Sequence, residues 1–145
     1  MSKIKDRQKL AWEGLFYSIQ RIDLLIVSIS GAGIYVCLES IKYLSDSEIQ
    51  VHFSVKVSGL FFLLAITINF FSQIYGKKSN EQDYLMCDAK LDAGDNISKS
   101  KKAAIDEYDK KAECYTKITN KLNLASMYLM FGGLLSIMIY FLFIF

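Results

Sequence analysis

Apolar positions in this chain do not alternate with polar ones at a helical or strand period. They run together in three long blocks. Residues 57–76 and 122–145 contain no Asp, Glu, Lys, Arg or His, and residues 22–44 contain only Asp23, Glu39 and Lys42, all towards the ends. Each block reaches or exceeds the roughly 20 residues a helix needs to cross about 30 Å of hydrocarbon. Proline is absent from the chain, which favours long unbroken helices over loops.

The segments around the blocks also read as helical. Ahead of the first, Leu10, Ala11, Leu15, Ser18 and Ile19 form a mainly apolar stripe, widened by Trp12, Phe16 and Tyr17 and preceded by basic residues. Such a helix lies in the membrane interface with its aromatics at headgroup depth. It serves either as a topology anchor or as an element coupled to movement of the bundle. Between the second and third blocks, Gly94-Asp95-Asn96 predicts a turn. Tyr84, Leu85, Met86 and Leu91 stand among charges before it. After it Ile97, Ala104, Tyr108, Tyr115, Ile118 and Leu122 recur at steps of three, four or seven, interrupted by Lys101 and Lys111. This is a heptad-like seam. Nothing stops it before the third block, so 97–145 reads as one helix, and the second block extends to about Asp92. The expected fold is an all-α integral membrane protein in four parts: an amphipathic arm (1–21), a transmembrane hairpin (22–76), a cytoplasmic helical hairpin stalk (77–121) and a third transmembrane helix (122–145).

Composition and charge sharpen this picture. Hydrophobic residues make up 52% and charged residues 22%, segregated along the chain where a soluble domain would intermix them. The net charge of +2 is not that of a nucleic-acid-binding chain. Lysine and arginine are asymmetric about the blocks. Lys3, Lys5, Arg7, Lys9 and Arg21 precede the first, and ten lysines fall in 77–121. The connection at 45–54 has none and carries Asp46 and Glu48, while the flanking Lys42 and Lys56 can snorkel from the span ends. The positive-inside rule then places the N-terminus and 77–121 in the cytoplasm and Phe145 at the outer face. The long charged stretch before Ile22 predicts an uncleaved anchor. Cys37, Cys87 and Cys114 show no metal-ligand spacing and need not face an oxidising compartment. His52, the sole histidine, falls on the opposite side from Cys87 and Cys114, and Asp106, Glu107 and Asp109 lie on a solvated face. No enzyme, cofactor or metal site is expected.

Polar residues within the blocks carry the candidate chemistry. Asn69, Ser72, Gln73 and Gly76 are spaced to share a helical face, with Thr67 nearby. Such a face meets another helix through hydrogen bonds, or lines a water-filled pore. Small residues, namely Ser28, Ser30, Gly31, Ala32 and Gly33 in the first block and Gly132, Gly133 and Ser136 in the third, predict close helix packing. Glu39 and Lys42 are placed to pair at the outer end, where Glu39 is a candidate mouth-lining charge. Lys99, Lys101, Lys102, Lys110 and Lys111 are candidate ligands for an anion, with Asp106, Glu107, Asp109 and Glu113 interleaved. Repeated around a symmetric oligomer, the locally basic Lys99–Lys101–Lys102 group would form a positive ring for nucleotide or oligonucleotide phosphates. No Gly-rich phosphate loop is present, so nucleotide turnover is not implied. Three spans cannot enclose a pore alone, so conduction needs several copies, of which four are expected.

The order of basic amphipathic arm, close membrane hairpin and charged helical extension resembles the SLATT-type bacterial transmembrane effectors of nucleotide-signalling conflict systems. In outline it is also similar to the membrane effector of the Hailong antiphage system. The resemblance implies a closed oligomeric effector in the bacterial inner membrane, released by a nucleotide signal to depolarise the cell. The third block departs from the two-span pattern of that group. The alternative is a non-conducting scaffold or accessory subunit whose stalk recruits a soluble regulatory protein. A holin-like protein is a third reading, for which the lysine-rich extension is superfluous.

Overall fold

The computed structural model describes residues 2–46, 53–93 and 99–144, with side chains described for Tyr17 and for 19–45, 53–91 and 101–143. The Gly94-Asp95-Asn96 turn, Ile97, the connection with His52, and the arm's side chains before Tyr17 lie outside the described residues, as does the side chain of Lys99. Three α-helices make up the rest: α1 (Ser2–Asp46), α2 (Phe53–Ala93) and α3 (Lys99–Ile144). The expected extensions of the second and third blocks are therefore present as helix. The arm and the first block are one helical element. All three helices are long and apolar enough to cross a membrane, over Ile19–Ser45, Phe53–Leu91 and Lys101–Phe143.

The chain divides into two compact units, Met1–Ile66 with Ser126–Phe145, and Thr67–Ala125. In the first unit, the inward positions are Ile26, Ser30, Gly33, Cys37 and Leu44 on α1, Val55, Ser58, Phe62 and Ala65 on α2, and Ser126, Met130, Gly133, Ile137 and Tyr140 on α3. These positions advance by three and four, the stepping that lets neighbouring helices interdigitate along a continuous seam. A uniformly apolar block does not mark its inward face by hydrophobicity, so size marks it instead. Phe62 is fully buried between Gly33 and Gly133. A Cβ on Gly33 would overlap the Cε2 edge of the Phe62 ring, and one on Gly133 would sit 2.8 Å from Cε1. The two glycines thus make the slot that the ring fills. Ser58 Oγ donates to the Gly133 carbonyl at 2.7 Å, tying α2 to α3 at the same level.

The opposite faces are apolar and uncovered. In the most apolar stretch of α1, α2 and α3, respectively, 17, 28 and 28% of the residues are buried. Leu24 and Leu38 on α1, Leu60 and Leu63 on α2, and Leu135 and Leu142 on α3 are all exposed. Surface of this kind is suited to acyl chains, where exposing leucine carries no hydrophobic penalty.

The small residues noted in the first block divide between the two faces. Ser30 is buried and Gly33 half-buried, whereas Ser28, Gly31 and Ala32 are exposed. A Cβ on Gly31 would meet nothing within 4 Å. In the third block, Gly133 is buried, while Gly132 and Ser136 are half-buried. Gly132 lies against Phe61, whose ring would be 3.1 Å from an added Cβ.

Candidate functional site

The second unit holds most of the candidate residues. Its inward face on α2 is built from Asn69, Ser72 and Ser79, all buried, with Gly76 half-buried. On α3 the facing positions are Ile105 and Ala112, both buried, with Tyr108, Tyr115 and Thr119 half-buried. The steps on α2 are again three and four, and Ile105, Ala112 and Thr119 stand seven apart. This seam is small and hydroxyl-rich rather than leucine-rich. It permits close approach: a Cβ on Gly76 would lie 3.6 Å from Thr119 Cγ2.

Closeness turns the hydroxyls into links between helices. Ser72 Oγ donates to the Thr119 carbonyl at 3.1 Å. That carbonyl is four residues from the Asn123 amide within α3, and carbonyl oxygens accept two bonds. Thr119 Oγ1 in turn donates to Tyr115 O at 2.9 Å. Further along, Ser79 Oγ lies 3.0 Å from the Ala112 carbonyl and 2.7 Å from Thr116 Oγ1, which is itself 3.0 Å from the same carbonyl. Two hydroxyl protons serve three contacts, so two bonds form at a time: both hydroxyls donate to the carbonyl, or one donates to the other, which donates to the carbonyl. Tyr75 and Tyr115 pack with ring centroids 6.1 Å apart.

The face predicted to carry Asn69, Ser72, Gln73 and Gly76, with Thr67 nearby, is thereby divided. Asn69 and Ser72 point into the chain, and Ser72 bonds across to α3. Gln73 and Thr67 are exposed, beside the exposed Phe70, Phe71 and Ile74. The reason is angular: consecutive residues diverge by about 100° on a helix. Once α3 occupies the edge through positions 69, 72, 76 and 79, residue 73 turns outward.

The lysines are distributed along α3. Lys101, Lys102 and Lys110 are exposed. Lys111 Nζ meets Glu107 Oε1 at 2.6 Å, and Lys117 Nζ meets Glu113 Oε1 at 2.7 Å, both four residues apart. The hydrogen bond from each ammonium, with its charge, holds the glutamate below the ordinary carboxylate range and raises the lysine above its own. Lys111 is thus partly neutralised, which weakens its claim as an anion ligand. Both pairs are exposed and screened by salt.

The predicted seam is displaced by one position at its start. Tyr108, Tyr115, Ile118 and Leu122 are half-buried as a seam requires, but Ala104 is exposed and its neighbour Ile105 takes the inward place. On α2, Met86 is half-buried, while Tyr84, Leu85 and Leu91 are exposed. Ser79, Ala112 and Thr116 were not singled out in the sequence; their signal is the seven-residue spacing of Ser72 from Ser79 and of Ala112 from Thr119. Glu39 and Lys42 are both exposed, and Asp23 is half-buried. Arg21 stacks over the Tyr17 ring at 5.5 Å. Cys37 is buried, and Cys87 and Cys114 are exposed thiols. Among the described residues, no three His, Cys, Asp or Glu side chains gather closely enough to hold a metal ion.

No protein-family model matches the chain, and no curated protein or solved structure matches it.

Proposed function

We propose that this chain is a multi-pass protein of the bacterial inner membrane that acts as a homo-oligomeric pore-forming effector. In this reading the three helices cross the bilayer, the N-terminus and residues 77–121 are cytoplasmic, and the latter form a helical stalk. The observation that carries the proposal is the outward exposure of two polar residues, Thr67 and Gln73, within the apolar stretch of α2. Polar side chains facing lipid are disfavoured, so these positions, about 120° apart around the helix, belong against neighbouring copies or water. Asn69 and Ser72 lie one position further in, as supports between α2 and α3. The exposed Lys101, Lys102 and Lys110 on each stalk are the candidate sensors of an anionic nucleotide or oligonucleotide. The layout shared with antiphage membrane effectors supports depolarisation as the outcome, and four copies is the working number.

Replacing both Thr67 and Gln73 by leucine is expected to lower single-channel conductance in planar bilayers by at least about tenfold, equivalent to ~1.4 kcal/mol on the permeation barrier. Assembly in detergent is expected to be unchanged. Unaltered currents from the double variant would remove the pore assignment.

A second reading is favoured by the inward placement of Asn69 and Ser72. With these two committed to packing, α2 suits a non-conducting scaffold whose stalk recruits a soluble protein. Tight liposomes, together with a stoichiometric partner bound through 77–121, are its expected signature.

A further inference from the structure

A groove of about 160 Å³ opens between α1 and α2 in the unit formed by Met1–Ile66 and Ser126–Phe145. Leu38 and Ile41 of α1 and Val55 and Leu63 of α2 form its walls, and Lys56 stands at its edge. Gly59 creates the space. It faces Cys37 across the helix pair, where an added Cβ would make an ordinary contact at 3.6 Å from Cys37 Cβ, and its lack of a side chain keeps the floor low. The path from Val55 to Leu63 takes eight helical steps, about 12 Å along a helix axis.

We infer that this groove binds one phospholipid, with an acyl chain along the floor at Gly59 and the phosphate on the Lys56 ammonium. The inference rests on the membrane reading above but not on conduction. Charge and depth complement each other. Lys56 precedes the apolar block and reaches headgroup depth by snorkelling, whereas Gly59 and Leu63 lie progressively deeper. A cation at one end and hydrocarbon along the rest is the counterpart of a phosphate followed by an alkyl chain. An extended peptide would leave its backbone amides without partners against these carbon walls.

The test uses the full chain in phosphatidylcholine vesicles containing a small fraction of phosphatidylglycerol with a diazirine in one acyl chain. Vesicle flotation comes first: a chain that does not float refutes the membrane reading itself, separately from the groove. After photolysis, adducts mapped by mass spectrometry are expected at 38–41 and 55–63. Their yield should exceed that at the exposed Leu135 and Leu142 by about tenfold, the ratio for ~1.4 kcal/mol of preference. Even labelling of all outward leucines overturns the site. Gly59→Ala, which makes only ordinary contact with Cys37, is expected to keep the preference, and Gly59→Leu to abolish it with helicity retained. Lys56→Gln is expected to lower labelling by the phospholipid to the level given by a diazirine diacylglycerol, which has no phosphate. Equal labelling of the wild-type chain by the two probes overturns the headgroup assignment. Crosslinks from a neighbouring copy into 55–63 in place of lipid adducts overturn the lipid assignment altogether.

Discussion

Replacing Phe62 by alanine is expected to destabilise the unit formed by Met1–Ile66 and Ser126–Phe145 by about 2–3 kcal/mol. Truncating a buried phenylalanine in a water-soluble core costs about 3–5 kcal/mol, part of it transfer of the ring out of water. In lipid that transfer share vanishes, because the unfolded reference also surrounds the ring with hydrocarbon. What remains is lost packing, and here it is large: the ring is 0% exposed and its nearest walls are two glycines with no side chains to collapse inward. Helicity followed against rising SDS fraction in mixed micelles measures the loss. The reverse change tests the geometry more sharply. Gly33→Ala drives a methyl into the ring, and the ring cannot retreat because Gly133 already lies against its other edge. Overpacking of this kind costs about 1–3 kcal/mol. Combining Gly33→Ala with Phe62→Leu is expected to recover part of that loss, since the shorter side chain vacates the overlap. Simple additivity of the two changes would show that Gly33 and Phe62 do not share one slot.

These contacts show where sequence stops being informative. The three blocks are legible because their lengths alone identify helices able to span a bilayer. Lys111 and Lys117 are similarly legible, since glutamates four residues upstream on a helix are within reach. Phe62 is not. Phe61 and Phe62 are chemically identical neighbours in a stretch, 59–66, where every position is apolar, and no alternation tells which faces a partner. Only the positions of Gly33 and Gly133 on other helices decide it, and pairing three distant segments is tertiary information. The seam of the second unit is partly legible. Tyr108, Tyr115, Ile118 and Leu122 mark the correct side of α3, but following large apolar residues passes over Ala112, which is buried because the helices approach closely there. The same closeness explains Ser72. A hydroxyl suited to a water path in isolation becomes a donor to a carbonyl when a second helix brings Thr119 O to 3.1 Å from it.

Replacing Ala112 by leucine is expected to be the most damaging single change in the unit Thr67–Ala125. Ala112 is 3% exposed, and its carbonyl lies within reach of both Ser79 and Thr116. A leucine must push the helices apart, at about 1–3 kcal/mol for overpacking. The same displacement carries the Ala112 carbonyl away from Ser79 Oγ, and a buried hydroxyl without a partner costs a further ~1–3 kcal/mol. Thr116 softens the second loss by remaining as a partner for Ser79 on the exposed side, so a total near 3 kcal/mol is expected. By comparison, Ser79→Ala removes a donor without adding volume, and a net cost of about 1 kcal/mol is expected. Ser72→Ala, in the apolar part of α2, should cost less still, near the ~0.6 kcal/mol average for side-chain bonds within membranes. Amide hydrogen exchange resolves this order by position. Protection at 101–121 should fall by about a hundredfold in Ala112→Leu, the factor for ~2.7 kcal/mol, and by about fivefold in Ser79→Ala. Equal effects of Ala112→Leu and Ser79→Ala would mean that the hydroxyl bond, and not the closeness of the two helices, holds this seam together.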